Sequence, residues 1–229
     1  MSLKPSQKAA YEIASSVVKA GRELLFEGAN IDLPPNRSET IANDDRIPQV
    51  GFIGDNYDER RILVVGINPG NGPSNFRSPS DAAMFLPLYR FVETPSHETY
   101  AEAMAAQMTA FPSWLASQEL GPKLDLEGVT TNDIAYINAS PYRAGNGTAN
   151  DVFRTVRRKK TAAAKWVGPM LFALRPAIVI AHGVEAARII NYADRAILPL
   201  IFNRVRIKAQ RDAANATFSS DLRTRLKSA

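Results

Sequence analysis

Apolar residues recur at helical spacing near the start of the chain. Tyr11, Ile13, Ala14, Val17, Val18, Leu24 and Leu25 predict an amphipathic helix from about Ser6 to Phe26. Leu33-Pro34-Pro35-Asn36-Arg37 breaks any helix. The polar stretch up to Tyr57 then reads as loop, with Val50-Gly51-Phe52-Ile53-Gly54 as a short extended piece. Arg61-Ile62-Leu63-Val64-Val65-Gly66-Ile67 is the clearest strand, a β-branched run of the kind buried on both faces of a parallel sheet. A loop rich in Asn, Pro, Gly and Ser follows from Asn68 to Ser80, and Glu98 to Leu120 reads as mainly helical, broken or kinked at Pro112. Ile134 to Asn138 forms a second strand. Asp151 to Leu174 is a second helix, with Val152, Phe153, Val156, Val167, Met170, Leu171 and Leu174 on its apolar face, and Arg175-Pro176 stops it. Ala177 to Ala181 is a third strand, Gly183 to Ile190 a helix, Ile197 to Ile207 a fourth strand, and Ser220 to Leu226 a short last helix.

Strands alternating with helices argue for a parallel sheet covered by helices, and ligands of such sheets bind beyond the carboxyl ends of the strands. At 229 residues, 45% hydrophobic, the chain is long enough for one core and short for two full domains. It is expected to form a single domain, residues 1–229, with 1–57 as a helix-and-loop extension and 58–229 as the α/β core. No apolar run reaches the roughly 18 residues a membrane span needs, and the first residues lack a secretory pattern, so the expected compartment is the cytoplasm.

The chain has no cysteine, which excludes disulfides, thiolate catalysis and iron–sulfur clusters. Two histidines, His97 and His182, leave little room for a multi-histidine metal site. Charge is unevenly spread. Asn203 to Ala229 carries seven basic residues (Arg204, Arg206, Lys208, Arg211, Arg223, Arg225 and Lys227) against Asp212 and Asp221, a net +5 that equals the charge of the whole chain. Arg154, Arg157, Arg158, Lys159, Lys160 and Lys165 form a second run with no acid between them. Each reads either as a solvated face or as a phosphate-contacting surface.

The residues that can carry chemistry follow the strands. Gly66-Ile67-Asn68-Pro69-Gly70-Asn71-Gly72-Pro73 is neither a phosphate loop, since Gly-Lys-Ser/Thr is missing, nor a dinucleotide fingerprint, since the glycine spacing is wrong. It is a rigid strand-to-helix loop or the lining of a pocket. Asn138, at the end of the second strand, is an Asx-type turn former ahead of Pro141 or a reader of a planar ligand, because its amide offers a donor and an acceptor on one group.

Val65-Gly66-Ile67-Asn68-Pro69-Gly70 resembles the first motif of the mismatch-specific uracil/thymine-DNA glycosylases, within the uracil-DNA glycosylase superfamily. Gly128 to Ile134 is similar to the lead-in to that family's second strand, Tyr136-Ile137-Asn138-Ala139-Ser140-Pro141 to its base-reading segment, and Leu174 to Gly183 to its third strand, so the resemblance spans roughly residues 60–190. It implies a three-layer α/β/α domain around a central, mainly parallel, four-stranded sheet. It also implies that Asn68 places the attacking water and that Asn138 reads the extruded base. Gly66, Ile67, Pro69, Gly70 and the aromatic Phe76 would line the base pocket; Phe85 reads instead as core. Arg143, Asn146 and Arg211 would meet the DNA backbone. No metal or cofactor is implied, and the partner is DNA.

One element of that family pattern is missing. After the fourth strand the chain reads Lys208 to Ser220 without the His-Pro-Ser or Asn-Pro-Ser of the closing motif. Three readings stay open: a glycosylase for uracil or a related damaged base, a nucleobase- or DNA-binding protein that has lost the chemistry, and a nucleotide-handling α/β enzyme of another kind. His182 reads as a satisfied histidine at a strand end before it reads as catalytic.

Overall fold

The apolar runs pair into one sheet. The computed structural model describes residues 3–21, 47–67, 79–117, 119–142, 153, 155–202 and 208–228. Its strands are β1 (Phe52–Ile53), β2 (Ile62–Gly66), β3 (Ile134–Asn138), β4 (Ile178–His182) and β5 (Leu200–Phe202), in the spatial order β1-β3-β2-β4-β5. β2, β3, β4 and β5 run parallel, and β1 is antiparallel to β3. The sheet is therefore mixed and five-stranded, where four strands were expected. The fifth is too short to show a period of two, so only its extended character is legible in the sequence. It depends on Gly51, whose φ of +81° suits glycine and whose missing Cβ leaves room for the Tyr136 carbonyl, 2.0 Å from where that Cβ would stand.

The helices are α1 (Pro5–Ala20), α2 (Tyr57–Arg60), α3 (Pro79–Glu93), α4 (His97–Ser117), α5 (Leu120–Leu126), α6 (Val156–Ala162), α7 (Gly168–Leu174), α8 (Val184–Ala193) and α9 (Lys208–Ser228). α1 starts on Pro5, whose fixed φ suits the first helical position, and stops at Gly21, whose N–H bonds back to the Val17 and Val18 carbonyls. The helix expected to reach Phe26 thus ends six residues earlier; residues 22–46 lie outside the described ones. α4 runs through Pro112 without ending there. α3 fills part of the expected loop and places Phe85, Leu88 and Phe91 in the core, as expected for Phe85. α9 is three times the length of the expected last helix, because its buried stripe is narrow: Phe218 and Leu222 carry most of it.

α6 and α7 are one continuous helical stretch joined by a π turn, Ala163–Val167. Pro169 explains the widening: it has no N–H to give the Lys165 carbonyl, and its ring would crowd that carbonyl in a regular α-helix.

Every residue of β2 and β3 is buried, so both faces of the central strands are covered. On one face Phe111 of α4 packs against Phe52 and Tyr136, and Phe218 of α9 against Phe202. The chain leaves β2 for β3 in one direction, then passes back to β4 and on to β5 in the other. Right-handed crossovers put those two sets of helices on opposite faces. The direction of winding switches between β2 and β4, the general place for a ligand crevice in such a sheet.

Candidate functional site at the carboxyl edge of the sheet

Strand register brings one row of residues to this edge. Gly66 pairs with Asn138, His182 with Phe202, and Val65 with Ala181, so Asn138, Gly66, His182 and Phe202 stand side by side on one face. In a strand alternate residues share a face, so Tyr136 belongs to the same surface. Two strand spacings separate Asn138 from His182, about 10 Å. The His182 ring is half-buried and stacks on Phe202 with centroids 5.8 Å apart.

Asn138 is held from three sides. The Tyr136 hydroxyl donates to Asn138 Oδ1 at 2.7 Å, and the Trp166 indole N–H donates to the Asn138 carbonyl at 2.7 Å. The Ala139 and Ser140 amides continue the ladder to the Gly66 and Ile67 carbonyls. Trp166 is wholly buried and Asn138 is only 3% exposed. Burial pushes the Tyr136 phenol far above its ordinary value, which the bond with Asn138 only partly offsets. The hydroxyl therefore stays protonated and donates to Asn138.

Gly66 is what allows this arrangement. An ideal Cβ there would stand 2.4 Å from Asn138 Oδ1 and 2.4 Å from the Tyr136 hydroxyl oxygen. Neither atom is the loose end of a flexible chain, because Phe111 packs on the Tyr136 ring and Trp166 anchors the Asn138 backbone. The glycine that the first motif places at the strand end is thus required by close approach.

The structure places Gly66, Ile67 and Asn138 together at the carboxyl edge. Asn68, Pro69, Gly70, Phe76, Arg143 and Asn146 lie outside the described residues, as does the side chain of Arg211 on α9. Two site residues were not anticipated. Tyr136 was legible from the two-residue period that puts it on the face of Asn138. Trp166 had no local signal, since its contact spans 28 positions and comes from the π turn.

The basic run on α6 stands beyond the same edge. Trp166 touches the end of β3, while Leu174, at the far end of α7, accepts from Tyr57 near the start of β2. This stretch therefore runs antiparallel to the strands, and at 1.5 Å per residue Arg157 and Lys160 stand about 9–14 Å past Trp166 along its axis. Arg157, Lys160 and Lys165, with Val156, Thr161 and Ala164, line an open groove of about 520 Å³. Lys159 is committed elsewhere, 2.5 Å from Glu185, whose carboxyl is held below its ordinary range chiefly by that lysine. In the basic tail Arg223 makes a two-pronged pair with Glu127, and Arg225 bonds to the Leu198 carbonyl. Part of the tail's charge thus holds α9 to the body of the domain.

Among the described residues no helix is long and apolar enough to cross a membrane, and no group of three or more His, Asp or Glu side chains is placed to hold a metal ion. No protein-family model and no curated protein matches the chain.

Proposed function

We propose that this chain is a DNA glycosylase of the uracil-DNA glycosylase type, hydrolysing the N-glycosidic bond of uracil or a related damaged base. The single observation that carries the reading is the buried Asn138 amide, held by Tyr136 directly beside Gly66, from which the chain passes through Ile67 into Asn68. A base extruded from the helix is read by hydrogen bonds in a closed pocket. Asn138 Nδ2 donates to a ring carbonyl, and the remaining lone pair of Oδ1 accepts the ring N–H. Asn68 orients a water toward C1′; an amide does not titrate, so its contribution is position rather than proton abstraction. Water oxygen bonds to C1′, the C1′–N1 bond breaks and its electron pair leaves with the base, which the polar setting of the pocket stabilises until it takes up the proton that the water loses. On this reading the four parallel strands and the helices on their two faces are the three-layer core of that superfamily. The groove on α6 takes the DNA backbone, together with Arg143, Asn146 and Arg211.

The test is base release from labelled uracil-containing DNA, single-stranded and paired with A or with G, by the wild type and by Asn68→Ala. Release that vanishes in Asn68→Ala while DNA binding persists supports the reading; equal release by both sinks the role of Asn68. A second reading, a binding protein that keeps the pocket without the chemistry, is favoured by the absence of His-Pro-Ser or Asn-Pro-Ser in Lys208–Ser220. It predicts salt-sensitive DNA binding with no release at all.

A further inference from the structure

We infer that the outer side of α6 and α8 binds single-stranded DNA, with Tyr192 as the platform on which an unpaired base stacks and Arg157, Lys160 and Lys165 as the contacts to its backbone. This rests on the proposed reading of the α6 groove as a path for DNA and adds the form of the strand it takes. The three cations line one groove and are spread over about 12 Å of helix. The Lys160 ammonium lies 5.9 Å from the centre of the Tyr192 ring, which joins that row of cations to an aromatic on the next helix. Tyr192 is 41% exposed. An exposed aromatic alone is ordinary. Beside a row of cations it supplies the two surfaces of a single-strand site: a charged track for phosphates and a flat face for a base. The phosphate of a nucleotide hangs one sugar away from its base, so the cation and the ring must be neighbours, as Lys160 and Tyr192 are. A duplex cannot use the ring, because its bases are stacked on each other and present only their edges in the grooves.

The two helices are held side by side. Lys159 pairs with Glu185 in the first turn of α8, and further along a Cβ on Gly168 would stand 3.6 Å from that of Ala193. Adjacent lysines thus have different tasks: Lys159 fastens α6 to α8, and Lys160 stands over the ring. α8 follows β4 directly and α6 leads to Trp166 at the end of β3, so the surface adjoins the carboxyl edge of the sheet. A strand held there lies beside the candidate pocket, and its stacking on Tyr192 needs no uracil.

The test compares three labelled probes of equal length by fluorescence anisotropy: an oligothymidine single strand, an abasic single strand with the same phosphates and no bases, and the oligothymidine paired with oligoadenosine. The proteins are the wild type, Tyr192→Ala, Tyr192→Phe, and Lys160→Ala with Lys165→Ala. Expected is a wild-type preference for oligothymidine over the abasic strand. Tyr192→Ala should weaken oligothymidine binding about five- to hundredfold, the worth of one stacked base, and leave the abasic strand and the duplex unchanged. Tyr192→Phe, which keeps the ring, should bind like the wild type. The abasic strand also shows that Tyr192→Ala is folded, since it must still bind that probe. No effect of Tyr192→Ala on oligothymidine, or equal weakening toward all three probes, overturns the inference; the groove reading survives if the lysine variant still weakens all three. Unchanged binding of every probe by the lysine variant overturns the groove reading and the inference with it. None of the probes contains uracil, so each outcome is independent of base release.

Discussion

Gly66→Ala puts the close approach at the carboxyl edge to its sharpest test. The added methyl would lie 2.4 Å from two oxygens, about 1 Å inside van der Waals contact. It has no easy way out, since β2 is the central strand of the parallel set and both oxygens belong to anchored residues. Overpacking of a tight core costs about 1–3 kcal/mol, and breaking the Tyr136–Asn138 bond adds about 0.5–1.5 kcal/mol. The expected loss is therefore about 2–4 kcal/mol. For a chain of this length each kcal/mol shifts the melting temperature by about 2–4 °C, so the midpoint should fall by roughly 5–15 °C. Urea unfolding and calorimetry measure both quantities. The cause is checked by repeating the substitution in Tyr136→Phe, which removes one of the two clashing oxygens: the penalty should shrink by about 1 kcal/mol or more. A Gly66→Ala protein within about 0.5 kcal/mol of the wild type, or penalties that simply add, would refute the argument that glycine is there for space.

Two further predictions concern charge. Asp133 is partly shielded from water, which works against its charge, but the Thr130 hydroxyl and amide, at 2.7 and 2.8 Å, together with Asn56 and the charge of Arg60, hold its carboxyl below its ordinary 3.8. A depressed carboxylate stabilises the fold above about pH 4 and loses that contribution as pH falls through its lowered value. Asp133→Asn should therefore be less stable at neutral pH and show a shallower acid limb; identical limbs by pH-dependent urea unfolding would contradict this. Lys160→Ala with Lys165→Ala should reduce the slope of log K against log salt for DNA binding by about 0.9 for each phosphate no longer neutralised, without changing the preferred base. An unchanged slope would remove the α6 groove from the DNA path.

The strands were the legible part of the fold because they are buried on both faces. β2, β3 and β4 are apolar runs bounded by Gly, Asn, Pro or His, and each starts or ends within a residue of its expected place. Elements held by few neighbours were not legible. β1 has two residues and is defined by its pairing with β3. α9 is set by a stripe of residues four apart in an otherwise polar stretch. The π turn could have been anticipated from Gly168-Pro169, which forbids one regular helical bond, but where a helix absorbs such a proline depends on what packs against it.

Charge said less than apolar pattern did, for a physical reason. A run of lysines and arginines states only that cations are present; whether they are available depends on residues far along the chain. Glu185 and Glu127 lie 26 and 96 positions from the cations they take, Lys159 and Arg223. The opposite holds for Asn138, whose place at the carboxyl edge was readable because a strand end fixes position. The sequence could not say which way that amide faces. In this fold its oxygen meets the Tyr136 hydroxyl, two residues upstream on the same strand face.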